Sequence, residues 1–182
     1  TYGGVLTGSG PLTGAGYTTG SLYKFGAGAL TLNGNGSRIY DLSVLGGSVL
    51  VNNGVTFNSE YVIAGYTGNG TFTADGAGTT IVSSFLVLGQ SQSVGTVNLT
   101  NGATLTALDS MTMNNAADTV NISGGSKLTT AGVDGNGAVN FNNGTLAVTS
   151  TDSAAYNYTL ASGGGTLEIA SGQTFTATGT IS

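Results

Sequence analysis

The chain has no cysteine, no histidine and no tryptophan, a single proline (Pro11), and three basic residues, Lys24, Arg38 and Lys127. Each shortage closes a class of function. Without cysteine there are no disulfides and no thiolate chemistry. Without histidine a Ser-His-Asp triad is impossible, and a serine or threonine hydroxyl lacks its usual activating base. Lys24 and Lys127 are the remaining bases, and no catalytic serine motif accompanies either. Three cations in a chain of net charge −5 cannot neutralise a run of phosphates, which excludes nucleic-acid binding and argues against docking on an anionic membrane. No run approaches the roughly 18 apolar residues of a membrane helix. The first residues, Thr1 to Gly4, do not read as a signal peptide.

Glycine and threonine are what the chain has in excess. Its 182 residues include 33 Gly and, by count, 29 Thr. Average usage would give roughly 13 Gly. Collagen is excluded, because glycine does not recur at every third position and proline is nearly absent. With 39% hydrophobic and 6% charged residues the composition is the reverse of a disordered chain. Gly and Asn turns separated by short Thr- and Val-rich stretches point to an all-β protein.

The stretch Gly95 to Thr106 (GTVNLTNGATLT) shows the unit. Val97 and Leu99 alternate with Thr96, Asn98 and Thr100, so one side of a short strand is apolar and the other polar. Asn101-Gly102 then supplies a tight corner, since both residues tolerate positive φ. Similar corners fall at Gly54, Gly78, Gly125, Gly144 and Gly172, with successive separations of 24, 24, 23, 19 and 28 residues. Three apolar columns accompany them. Five residues before each corner stand Val49, Val97, Val120, Val139 and Leu167, with Phe72 in that place after one deletion. Three before stand Val51, Leu99, Ile122, Phe141 and Ile169. Three after stand Phe57, Ile81, Leu105, Leu128 and Phe175, with Leu146 displaced by one.

Such spacing is that of a solenoid whose equivalent strands pair in parallel, coil on coil. The expected fold is therefore a single-stranded parallel β-helix of seven or eight coils, roughly 24 residues each, forming one domain over residues 1–182. Asn98, Asn121 and Asn140 make a further column, either solvent-facing or joined as an amide ladder. The stretch 149–158 is the longest polar excursion. It reads as a projecting loop, on which Tyr156 and Tyr158 are candidate partner-binding aromatics; the other reading of the tyrosines is core or edge packing.

The segment Lys24 to Gly34 (KFGAGALTLNG) resembles the passenger-associated repeat of bacterial autotransporters, K-x-G-x-G-x-L-x-L-x-G. Val5 to Thr13 is similar to that family's lead-in, and Gly163 to Thr176 is similar to its recurrent strand–turn unit; Gly65 to Thr73 and Leu88 to Leu99 also look like passenger sequence. The chain departs from the tidy repeat between Gly10 and Lys24, where a longer Gly/Thr-rich segment is inserted. The resemblance implies a right-handed parallel β-helix on the outside of a bacterial cell, exported through a separate C-terminal barrel that is not among these residues. Thr174 to Ser182 looks like a run into another copy of Thr1 to Gly10, which suits either a segment of a longer passenger or a subunit that stacks end to end.

Glu60, Asp109, Asp134 and Asp152 fall six to nine residues after corners and are expected as solvated corner charges; Asp134-Gly135-Asn136-Gly137 lacks the further acids of a calcium loop. Arg38 is expected to pair with Asp41 at the surface. The sequence thus assigns no catalytic residue, no metal ligand and no cofactor. The function expected is a surface-exposed structural or adhesive rod, with other copies of itself or molecules of a host or neighbouring cell as partners, located extracellularly on the bacterial cell surface. A self-assembling filament is one alternative. An ice- or carbohydrate-binding solenoid is another, suggested by the T-x-T runs at Thr71, Thr104 and Thr174 but opposed by the uneven coil spacing.

Overall fold

Alternating apolar and polar residues become strands throughout the computed structural model, which describes residues 20–182. Pro11 and the lead-in at Val5 to Thr13 lie outside the described residues. In chain order the strands are β1 (Leu22–Lys24), β2 (Ala29–Leu32), β3 (Ser37–Val44), β4 (Gly47–Val51), β5 (Thr56–Ala64), β6 (Gly70–Asp75), β7 (Thr80–Leu88), β8 (Gly95–Thr100) and β9 (Thr104–Met113). They continue as β10 (Thr119–Ser123), β11 (Lys127–Gly135), β12 (Ala138–Asn142), β13 (Gly144–Val148), β14 (Asp152–Ala154), β15 (Asn157–Leu160), β16 (Gly165–Ile169) and β17 (Phe175–Ala177). The fold is all-β, a parallel solenoid of about 7 turns with ~23 residues per turn.

Even- and odd-numbered strands up to β13 segregate onto two walls. One sheet runs β2-β4-β6-β8-β10-β12-β15 and the other β1-β3-β5-β7-β9-β11-β13-β16, while β14 pairs with β17. Every pairing between these strands is parallel. Within the eight-stranded sheet β3, β5, β7, β9 and β11 are 8–10 residues long, and a bulge bends them partway along. β1 pairs only with the second half of β3, and β13 only with the first half of β11, so the two halves form separate walls. At the bend β9 carries one extra residue: Ser83 and Phe85 of β7 face Ala107 and Ser110, leaving Leu108 and Asp109 as a bulge.

Identical register stacks like on like. On the seven-stranded sheet Leu30, Val49, Phe72, Val97, Val120, Val139 and Tyr158 are successive partners. On the facing wall Phe57, Ile81, Leu105, Leu128, Leu146 and Leu167 are. All but two end members, Leu30 and Leu167, are fully or almost fully buried. Burial of such side chains contributes roughly 1.5–3 kcal/mol each, and each depends on the coil above and below.

The last coil corrects the alignment drawn from the sequence. Leu167 and Ile169 pair with Leu146 and Val148 on the eight-stranded sheet, not with the Val139–Phe141 row. That row continues instead to Tyr158 and Leu160. Gly172 therefore turns a different corner from Gly125, and Phe175 belongs to β17. With the correct phase no insertion is needed, and the 149–158 stretch is not a projecting loop. β14 and β15 both lie within it or run out of it as ordinary wall strands, and Thr149 N donates to Thr130 O at 2.9 Å to hold it against β11.

Candidate functional site

Gly54, Gly78, Gly102, Gly125 and Gly172 do turn corners, each with φ between 70° and 82°. Gly144 does not. Asn143 takes the left-handed conformation there, at φ 59°, and Gly144 opens β13 where an added Cβ would collide with Ile122 O. This explains the one-residue displacement of Leu146: the corner was counted one residue late.

Tyr156 and Tyr158 are core residues rather than a docking pair, at 0% and 4% exposure. The Tyr156 hydroxyl donates to Asp134 O at 2.7 Å and accepts from Asp134 N at 3.1 Å, pinning the last coils to β11. Burial pushes its phenol pKa far up. Tyr158 stacks on Phe141 with ring centroids 6.5 Å apart. Burial pushes Tyr158 up to about 12, and its hydroxyl has no hydrogen-bond partner. Tyr158 takes its direction from its place in the Val139 row, and Tyr156, two residues earlier, is buried just before β15. Elsewhere Tyr40, Tyr61 and Phe85 form a half-buried row, with centroids 5.7 and 5.0 Å apart. Desolvation raises the Tyr61 pKa, helped by Tyr40 and Glu60.

The acids do not converge. Glu60 accepts from Ser84 Oγ at 2.9 Å, Asp109 sits on the β9 bulge, Asp134 accepts from Gly135 N at 2.7 Å, and Asp152 accepts from Val133 N at 2.8 Å. No group of three or more acidic side chains able to hold a metal occurs among the described residues. Arg38 and Asp41 form no ion pair, which corrects the surface pairing expected of them. Residues three apart on a strand face opposite ways, and Asp41 instead accepts from Ser43 Oγ at 2.8 Å. Burial raises the Asp41 pKa, partly offset by the Ser43 and Tyr23 hydroxyls. An ion pair does link Lys127 to Glu168, at 2.6 Å across two coils, and both are exposed.

One buried acid escaped the sequence reading. Asp118 is fully buried, with Oδ1 accepting from Gly95 N at 2.8 Å and Oδ2 from Asn115 N at 2.9 Å. Desolvation raises its pKa against those backbone donors. Locally the sequence shows only an Asx turn, Ala117 N donating to Asn115 Oδ1 at 3.0 Å, while the Gly95 partner of Asp118 comes from the preceding coil.

What the structure does assemble is an even polar wall on the outside of the seven-stranded sheet. Thr71, Thr96 and Thr119 form one outward column; Thr73, Asn98, Asn121, Asn140 and Thr159 form the next. Asn140 Nδ2 donates to Asn121 Oδ1 and Asn121 Nδ2 to Asn98 Oδ1, both at 2.8 Å. Asn98 Nδ2 reaches Thr73 Oγ1 at 3.3 Å. The two readings of this column are therefore both realised: an amide ladder on an outward, half-buried face. Asp75 is the one charged residue in the seven strands, and Thr100 Oγ1 and Asn101 Nδ2 cap it at 2.6 and 2.7 Å. Strands keep register across this wall although their sequence spacing varies, because the corners absorb the difference. The unevenness that opposed a periodic binding face is absent from the face itself.

Comparison with protein-family models, with curated proteins and with solved structures returns no match in any of the three.

Proposed function

We propose that the chain is a structural and adhesive β-solenoid, an autotransporter-like passenger segment on the outside of a bacterial cell. The carrying observation is the uncharged, registered Thr/Asn wall. Its longest polar column, Thr73 to Thr159, crosses four inter-strand steps of about 4.8 Å, roughly 19 Å. Its hydroxyls and amides are each donor and acceptor, so they hydrogen-bond to another such wall or to a glycan without a charge penalty. Single contacts of this kind are weak, and many copies on one cell surface multiply them. The acids that give the chain its net charge of −5 lie outside these strands, apart from Asp75. The reading is non-enzymatic.

Display of the chain on cells or beads is expected to cause clumping or attachment to a second cell type. Asn98→Asp with Asn121→Asp puts two like charges in one column, and clumping should fall severalfold with circular dichroism unchanged. Asn58→Asp, on the other sheet, should leave it intact. Equal clumping by all three proteins overturns the role of the wall. Glycan binding lost in the double variant, without any change in clumping, assigns the wall to carbohydrate instead.

A further inference from the structure

Beyond the bend of the eight-stranded sheet, the second halves of β3, β5, β7, β9 and β11 form a third wall, and one outward row on it changes size abruptly. Successive partners in that row are Asp41, Tyr61, Phe85, Ser110 and Gly132. Tyr61 and Phe85 stack, with ring centroids 5.0 Å apart and planes 16° from parallel. The next two positions carry a hydroxymethyl group and then no side chain. The face of Phe85 turned away from Tyr61 therefore looks along the rod over Ser110 and Gly132, and no second ring meets it among the described residues. Two strand spacings separate Phe85 from Gly132, which makes a shelf about 10 Å long. The β9 bulge borders it: Leu108, 45% exposed, and Asp109, also exposed, stand there ahead of Ser110.

Negative charge follows the same wall. Asp41, Glu60, Asp109, Asp134 and Asp152, five of the chain's eight acids, lie at the bend, on this wall or on β14 beside it. Asp109 adjoins Ser110, and an added Cβ at Gly132 would come within 3.3 Å of Asp152 Oδ2, so carboxylates stand at the edge of the shelf and at its far end. They are spread along the rod rather than gathered, which fits separate positive groups and not a single metal ion. The chain's three cations are engaged elsewhere. Lys24 Nζ donates to the carbonyls of Phe25, Gly26 and Gly46, Lys127 pairs with Glu168, and Arg38 stands beside Asn58 in the first half of its strand. The Lys127–Glu168 pair is the one ion pair among the described residues, so none of the five carboxylates has a cationic partner.

We propose that this shelf takes an arginine side chain of a partner protein, its guanidinium plane laid on Phe85 and its N–H groups donating to Asp109. A guanidinium is planar and permanently charged, stacks on aromatic faces, and gives a carboxylate two parallel hydrogen bonds. Its apolar stem has Leu108 to lie along. A basic segment running along the rod would bring further cations to Asp134 and Asp152. A neutral ligand would leave the carboxylates unused, and an acidic one would be repelled. The shelf lies on a different wall from the Thr/Asn columns, so it holds whether or not those columns mediate adhesion.

Fluorescence anisotropy of a labelled hexa-arginine peptide, titrated with the full chain, tests it. Saturable binding is expected, with hexa-lysine held severalfold more weakly because an ammonium has no plane to lay on the ring. Phe85→Leu keeps the apolar bulk and removes the ring face, and Asp109→Asn removes an exposed charge; each should weaken binding about three- to fivefold. Ser110→Phe fills the shelf while altering no charge, and should abolish binding with the circular dichroism spectrum unchanged. Asp75→Asn, the same loss of charge on the seven-stranded wall, should leave binding as it is. Absence of saturable binding, equal losses in Asp75→Asn and Asp109→Asn, or full binding by Ser110→Phe overturns the proposal. So does tighter binding of a glucosamine oligomer that the same variants abolish, which would give the shelf to an amino sugar.

Discussion

Adding one methyl group at two glycines separates the two reasons this chain uses the residue. Gly102 has φ 82°, and the nearest atoms to an added Cβ are 3.5 Å away in Ala77. Its alanine variant meets backbone strain alone, about 1–2 kcal/mol. Gly95 has no positive φ, but a Cβ there would collide with Ala64 O and the Leu88 side chain. Backbone of the coil below cannot yield as a side chain can, so Gly95→Ala should cost about 3 kcal/mol, the larger of the two losses by urea denaturation. Equal losses would mean the coils are looser than they stand. Asp41 gives a second residue-scale expectation. Burial raises its native pKa above the unfolded value of about 3.9. Between those two pKa values the native state holds more protons than the unfolded one, so stability falls as pH rises through the raised pKa and is flat above it. Asp118 contributes in the same direction. Urea midpoints should therefore be higher near the bottom of that window than at neutral pH. Asp41→Asn, which keeps an acceptor for Ser43, should reduce the slope; a slope that stays the same would place the proton elsewhere.

At the scale of the strand, the first five coils are legible in sequence and the last is not, for one reason. Alternation of apolar and polar residues tells which way a side chain points relative to its neighbours, not which wall the strand occupies. The unit Thr166 to Thr176 (TLEIASGQTFT) copies the pattern of Thr96 to Thr106 (TVNLTNGATLT), yet turns a different corner. The corner before β16 is Gly164, at φ 65°, and taking Gly172 in its place leaves an apparent excess of residues that reads as a loop. Only pairing of Val139 with Tyr158 fixes the phase. The Asn98–Asn121–Asn140 column, by contrast, could be read directly, because identical residues at one offset from successive corners must meet when coils stack in register. Asp118 lay beyond either argument: its burial follows from where Gly95 and Asn115 stand in the corner around it, a tertiary fact.

For the whole molecule, nearest-neighbour stacking dictates how stability is spread. Each interior coil is covered on both sides and the end coils on one, so opening should begin at the ends and propagate inward. β16 is exposed along nearly its whole length, whereas the inward residues of β7, β9 and β11 are buried. Amide hydrogen exchange should accordingly be fastest in β16 and β17, slowest in β7, β9 and β11. Leu105→Ala removes one layer from the middle of the Phe57–Leu146 stack and should cost about 2–5 kcal/mol. Because that stack links coils in a line, the loss should accelerate exchange in β7 and β11 together while β16 stays at its already fast rate. A uniform rise across all strands would show that the rod unfolds as one unit, with coupling between coils stronger than any single layer.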